Sequence, residues 1–87
     1  MALKYIVVEV PGGEAPVVFS RDFFHAYVAD RFAPAKVVSA GFVRLSGGKP
    51  ECYGGSSSLK ISSRGDRDTA LVARHLLDGS IDEESDG

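Results

Sequence analysis

The sequence predicts an α+β fold: an antiparallel sheet of four to five strands, in the chain order β-β-α-β-β-β-α, with two helices packed on one face. An alternating apolar segment opens the chain, and residues 36–63 form strand-like segments separated by glycine-rich turns. An amphipathic segment flanks that run on each side, and the short links favour antiparallel pairing. Because 87 residues support one core, we predict a single compact domain at residues 1–79.

The first two strands are predicted to form a hairpin. Leu3–Val10, with the sequence LKYIVVEV, has the composition of a strand and carries apolar side chains on both parities. The loop that follows, PGGEAP, contains the turn formers glycine and proline. Val17–Phe19 then supplies a short second strand.

The first helix is predicted from Arg21 to Phe32. Ser20 has a side chain suited to the N-cap position, and Pro34 ends the helical pattern. The side chains that recur at helical spacing predict its buried face: Phe24, Tyr27, Val28 and Phe32.

The centre of the sheet is predicted at Lys36–Leu45. This segment is apolar on both parities, which is typical of a strand covered on both faces. Gly41 in its interior indicates either a bulge or a close approach of another part of the backbone. After the turn at residues 46–50, Glu51–Tyr53 and Leu59–Ser62 are predicted as the last two strands.

The second helix is predicted to begin at Ser63 or Asp66 and to run to Asp78, because both side chains can cap a helix and Gly79 fits the C′ position. Residues 80–87, SIDEESDG, are too poor in apolar groups to offset the entropy lost on ordering, so we predict a disordered acidic tail. Candidates for the core are Phe24, Val28, Phe42, Leu71, Leu76 and Leu77.

Two helices on one face would leave the other face of the sheet uncovered. That face would be apolar, because two of the predicted strands are apolar on both parities. An exposed apolar face marks an interaction site, and a homodimer is the commonest way to cover one. We therefore predict a self-association face near Tyr5, Arg44 and Tyr53, since tyrosine and arginine are enriched at interfaces.

Composition narrows the classes of partner. The net charge is −2, and without the four acids of residues 80–87 the ten basic side chains outnumber the remaining eight acids only slightly. This excess is too small for the electrostatic footprint of a nucleic-acid-binding protein. The lone Cys52 excludes an intramolecular disulfide and predicts a reducing, cytoplasmic location. No apolar run approaches the roughly 20 residues of a membrane span, and the N-terminus lacks the features of a signal peptide.

The candidate reactive side chains are Cys52, His25 and His75. A Cys–His pair could form a nucleophile, but Cys52 follows the acidic Glu51 and is better explained as a small side chain packed in the sheet. His25 is predicted to be partly exposed at a helix boundary, and His75 suits a helix C-terminus. No pair of cysteine or histidine residues has the spacing of zinc ligands. The glycine- and serine-rich segment Gly54–Lys60 precedes a predicted strand, whereas a phosphate-binding loop precedes a helix. We predict no catalytic, cofactor-binding or metal-binding residue, and no enzymatic activity.

Three segments, LKYIVVEV, GFVRL and ECYGGSSSLKISSRGDRDTALVARHLL, resemble small phage- and prophage-encoded proteins, most of them uncharacterised, over residues 3–78. Anti-CRISPR inhibitors are one group of this kind. The resemblance implies a protein without a cofactor that binds and modulates or inhibits a host protein in the bacterial cytoplasm. Two alternatives stay open: a nucleic-acid-binding accessory protein, and a small enzyme that uses Cys52 and a histidine. The predicted partner-binding residues are Tyr5, Arg44, Tyr53, Arg64, Arg67, Asp82, Glu83 and Glu84.

Overall fold

A computed structural model describes the backbone of residues 2–86 and the side chains of residues 2–76. Four strands form one antiparallel sheet in the spatial order β2-β1-β3-β4, and two very short strands form a separate antiparallel pair, β5-β6. This confirms the α+β class and the antiparallel sheet. The elements are β1 (Ala2–Val10), β2 (Gly13–Phe19), α1 (His25–Arg31), β3 (Val37–Ser46), β4 (Lys49–Tyr53), β5 (Gly55–Ser56), β6 (Ile61–Ser62) and α2 (Asp66–Asp86).

Strand β1 is the centre of the molecule. It pairs with β2 through a tight hairpin that sets Val10 opposite Gly13, and with β3 on its other side, where Ile6 lies opposite Ala40. Because successive side chains of a strand point to opposite faces, its apolar parities supply both faces of the sheet. The buried residues of β1 are Tyr5, Ile6, Val7 and Val8.

The two faces of the sheet are covered by different helices. Tyr5 and Val7 pack with Val72 of α2, whereas Ile6 and Val8 pack with Val28 of α1. The expectation that both helices share one face is therefore wrong. The physical reason is that a strand apolar on both parities needs cover on both sides, and the chain has one helix for each.

The β5-β6 pair adds cover on the α1 side, where Leu59 and Ile61 pack against the same cluster as Val28. Both faces of β1 are therefore covered along Tyr5–Val8. The uncovered sheet face, from which self-association was predicted, is not present in this fold.

Gly41 marks a close approach of backbone, as one of its two interpretations predicted. A Cβ atom at this position would lie 2.5 Å from the carbonyl oxygen of Tyr53 and 3.3 Å from the ring of Tyr5. The irregularity in register lies elsewhere in β3, at Val38, because Val7 pairs with Ser39 and Val8 with Val37. Glycine at 41 therefore lets the end of β4 cross close to β3.

Helix α1 is shorter than predicted and begins at His25 instead of Arg21. Ser20 does not cap it; its Oγ accepts the N–H of Asp22 at 3.1 Å in a preceding turn. The helix has only seven residues and buries His25 and Val28. Tyr27 and the flanking Phe24 and Phe32, which were predicted to lie on its buried face, are exposed.

The remaining core candidates differ in burial. Phe42 and Leu71 are half-buried, whereas Phe24 and Leu76 are exposed, so these last two assignments are wrong. Helix α2 begins at Asp66, one of the two predicted starts. Its backbone stays helical to Asp86, so the predicted end at Asp78 is wrong, and the helix runs through most of the segment predicted as a tail, residues 80–87. Leu77 falls outside the residues whose side chains are described.

Both edge strands contain a proline. Pro16 lies in β2 and Pro50 in β4. In β4 the N–H of Cys52 is donated to Thr69 Oγ1 of α2 at 2.9 Å, so it points away from β3. Pro50 shares that outward parity and has no N–H to offer.

No helix in the described part of the chain is both long enough and apolar enough to cross a membrane.

Candidate functional site

A buried polar network lies between the sheet and α2. The Tyr5 hydroxyl is 2.6 Å from Asp68 Oδ2 and 2.7 Å from Ser63 Oγ. Because a carboxylate only accepts, the phenol donates its proton to Asp68, and the Ser63 hydroxyl donates to the Tyr5 oxygen. Burial and the hydrogen bond to Asp68 raise the pKa of Tyr5 far above its ordinary value.

The carboxylate of Asp68 is fully buried and remains ionised because of its donors. The Arg64 backbone N–H and Nε lie 2.9 Å and 2.8 Å from its two oxygens. Burial would raise the pKa of Asp68, but the hydrogen bonds from Tyr5 and Arg64 outweigh it and hold that pKa below its ordinary value. Arg64 also donates to both oxygens of Glu14 in β2. The network therefore ties α2 to two strands and has a structural role.

Cys52 belongs to the same side of the sheet, where it packs with Tyr5, Val43 and Val72. Burial raises the pKa of its thiol, which disfavours the reactive thiolate. This confirms the prediction that Cys52 is a packed side chain.

His25 lies on the other side of the sheet and is buried, which corrects the expectation of a partly exposed residue. Its Nε2 lies 2.8 Å from the Gly41 carbonyl oxygen, which only accepts, so Nε2 carries a proton. The ring meets Phe19 and Phe42 edge-on at 5.6 Å and 5.7 Å. Since the sheet separates His25 from Cys52, these two side chains do not form a catalytic pair in this fold.

The predicted partner-binding residues fall into separate groups. Tyr5 is fully buried and cannot contact a partner in this fold, which corrects its assignment. Arg44 is exposed, pairs with Glu51 at 2.6 Å and lies over the Tyr53 ring at 4.8 Å. Arg64 and Arg67 converge on Glu14 at 2.9 Å and 3.7 Å. The side chains of Asp82, Glu83 and Glu84 lie outside the described residues.

A surface missed by the sequence analysis surrounds α1, and we call it the aromatic surface. Its four members are Phe23, Phe24, Tyr27 and Phe32, which are 47%, 73%, 52% and 42% exposed. Phe23 and Tyr27 stack with ring centroids 5.7 Å apart. The signal was present in the sequence, because this many aromatic side chains within ten residues cannot all face inward from one short helix.

The charges around the aromatic surface are balanced. Arg21 and Arg31 are exposed, and so are Asp22 and Asp30. Lys4 lies over the Phe24 ring at 5.6 Å and donates from Nζ to the Phe23 carbonyl oxygen at 2.8 Å. The aromatic side chains are thus surrounded by a polar rim with little net charge.

A second exposed apolar surface, the apolar groove, lies on the α2 side of the sheet. It encloses about 320 Å³, and Arg44 is its one charged lining residue among those described. Leu45 and Leu76 are 67% and 47% exposed at its sides. The apolar lining residues are Leu3, Val18, Val43, Leu45, Pro50, Val72 and Leu76.

The described residues contain no group of three or more histidine, cysteine or acidic side chains placed to hold a metal ion. Comparison of the chain with protein-family models, with curated proteins and with solved structures gave no match. The resemblance to phage-encoded proteins therefore stays a prediction.

Proposed function

We propose that this protein is a non-enzymatic interaction protein of the phage type, which binds a host protein through the aromatic surface and thereby modulates or inhibits it. The exposure of four large aromatic side chains around one short helix supports this proposal. Aromatic residues are enriched at the centres of protein interfaces and dominate their binding energy.

The aromatic side chains are held in place before binding. Phe23 stacks on Tyr27, the Tyr27 hydroxyl accepts from Arg31 at 3.5 Å, and Lys4 lies over Phe24. A preorganised surface loses less conformational entropy when a partner binds, which favours affinity.

Charge favours a protein partner over a nucleic acid. Exposed aromatic rings can also stack on unpaired bases, but nucleic-acid binding draws much of its affinity from an excess of basic groups that neutralise phosphates. Here Arg21 and Arg31 are matched by Asp22 and Asp30, which leaves Lys4 as the only excess charge among the described neighbours of the rings.

The test is affinity capture from a bacterial lysate, followed by direct binding of the purified candidate partner measured by calorimetry. Phe24→Ala combined with Tyr27→Ala should weaken this binding at least about a hundredfold, since truncation of a hot-spot side chain costs about 2 kcal/mol or more. Val10→Ala is the control, because Val10 is an exposed apolar side chain at the β1-β2 hairpin and belongs to neither exposed surface. Equal affinity of the double variant and the wild type would refute the proposal, and so would tight binding of a single-stranded oligonucleotide in place of a protein.

We further propose that the predicted homodimer forms through the apolar groove. Leu45 and Leu76 stand beside the recess at Val43 and Val72, so two copies related by a twofold axis can each place a leucine into the other's recess. The charge of Arg44, at the rim, is already met by Glu51. Sedimentation should show a dimer that Leu45→Asp converts to a 9.2 kDa monomer. A wild-type protein that sediments as a monomer at high micromolar concentration would contradict this.

A further inference from the structure

A polar recess lies on the α1 side of the sheet and shares Lys4 and Phe24 with the surroundings of the aromatic surface. It lies between Lys4 of β1, the Phe24–His25 segment and the β5-β6 turn, which contributes Gly55, Ser57 and Ser58. Its volume is about 300 Å³, which is at the small end of the range for ligand sites, roughly 300–1,000 Å³.

The local backbone explains how hydroxyl groups come to face a lysine. The turn is closed by the Leu59 N–H, which Ser56 Oγ accepts at 3.2 Å, and Lys60 takes a left-handed φ of 57°. Lys4 lies opposite Phe42 in the sheet and shares its face. The glycine- and serine-rich segment therefore folds back onto the sheet beside a basic side chain.

The recess has an excess of hydrogen-bond donors. The Lys4 ammonium has three N–H groups, and one of them is donated to the Phe23 carbonyl oxygen. Ser58 Oγ lies 3.2 Å from Ser56 Oγ, and the Ser57 hydroxyl has no hydrogen-bond partner among the described residues. Lys4 is the one lysine or arginine among the described lining residues, and none of them is acidic.

Two aromatic rings complete the walls. Phe24 lies on one side and Phe42 on the other, and Phe42 is fixed by its contacts with His25 and Tyr53 at 5.7 Å and 5.9 Å. Aromatic walls suit the flat, apolar part of a ligand, while the ammonium and hydroxyl groups suit an anion.

We propose that this recess binds a small oxyanion, a phosphate or a carboxylate, that is carried on an aromatic body. Lys4 holds the anion by a charge-assisted hydrogen bond, the hydroxyls of Ser57 and Ser58 donate to it, and the aromatic body packs between Phe24 and Phe42. This ligand site goes beyond the proposed protein partner, and the two share Phe24 as a border.

The experiment is a titration of the full chain with phenyl phosphate, followed through its backbone amide NMR signals. The signals of residues 55–58 and of Lys4 should shift together with one dissociation constant. Lys4→Met should raise that constant at least about tenfold, because it removes a charge-assisted hydrogen bond. Ser57→Ala combined with Ser58→Ala should raise it roughly threefold to tenfold. Lys49→Met, which removes an exposed lysine at the far β3-β4 turn, should leave it unchanged.

Two further probes separate the parts of the ligand. Inorganic phosphate and phenol should each bind more weakly than phenyl phosphate, because each supplies only half of the contacts. The proposal is overturned if Lys4→Met and Lys49→Met have the same effect, if the shifts are spread over the surface lysines, or if inorganic phosphate binds as tightly as phenyl phosphate.

Discussion

Removal of one oxygen atom from Tyr5 should destabilise the protein strongly. Tyr5→Phe keeps the buried ring but removes the hydroxyl that lies 2.6 Å from Asp68 Oδ2. Asp68 then loses a donor, although both contacts from Arg64 remain. Hydrogen bonds to charged groups contribute about 1.5–3 kcal/mol, so the free energy of unfolding should fall by about 2 kcal/mol. For a domain of this size that is roughly a 10 °C decrease in melting temperature.

The measurement is urea and thermal unfolding of the wild type and two variants at pH 7. Tyr53→Phe is the matched control, because Tyr53 is half-buried and its hydroxyl has no hydrogen-bond partner among the described residues. It should change the free energy of unfolding by less than about 0.5 kcal/mol. If Tyr5→Phe and Tyr53→Phe have equal melting temperatures, the buried network does not contribute as argued.

Three further results are expected. The pKa of Asp68 is lowered in the folded state, so its stabilising contribution should be complete above the ordinary aspartate pKa of about 3.9 and lost as the pH falls further; urea unfolding from pH 7 to pH 2 checks this, and equal stability at both ends would contradict it. Gly41→Ala should lower the melting temperature far more than Ser46→Ala, because the new Cβ would lie 2.5 Å from the Tyr53 carbonyl oxygen whereas Ser46 is exposed. Cys52 should react with a thiol reagent only as fast as the domain opens, because it is buried and its pKa is raised; immediate reaction in the native protein would show that it is accessible.

The two central strands were predictable because their signals are local, whereas β5 lies in a segment predicted as a break and β2 begins inside the predicted loop. The apolar parities of β1 and β3 predicted central strands, and the glycines at residues 47–48 predicted the turn between β3 and β4. The packing of Cys52 also followed from its neighbours in the sequence. These properties depend on a few adjacent residues, and tertiary contacts did not override them.

The helix faces and the buried network could not be predicted in the same way. Ser20 looks like an N-cap, but its hydroxyl closes a turn, and the aromatic pattern that predicted a buried stripe instead forms the exposed surface around α1. Which face each helix covers is decided by contacts between distant segments. Tyr5 is 63 residues from Asp68, and nothing in the sequence near either residue indicates the other.

The outer edge of β4 limits how another molecule can bind to this protein. Across the described residues Lys49–Tyr53, the outward positions are a proline and a cysteine whose N–H is already donated to Thr69. A strand from another molecule finds no amide donor there, so edge-to-edge polymerisation along β4 is disfavoured. At this edge, association is left to side chains, and side chains can be exchanged one at a time without altering the sheet. A scaffold of this kind can acquire new binding partners by surface substitution while its folding stability stays nearly constant.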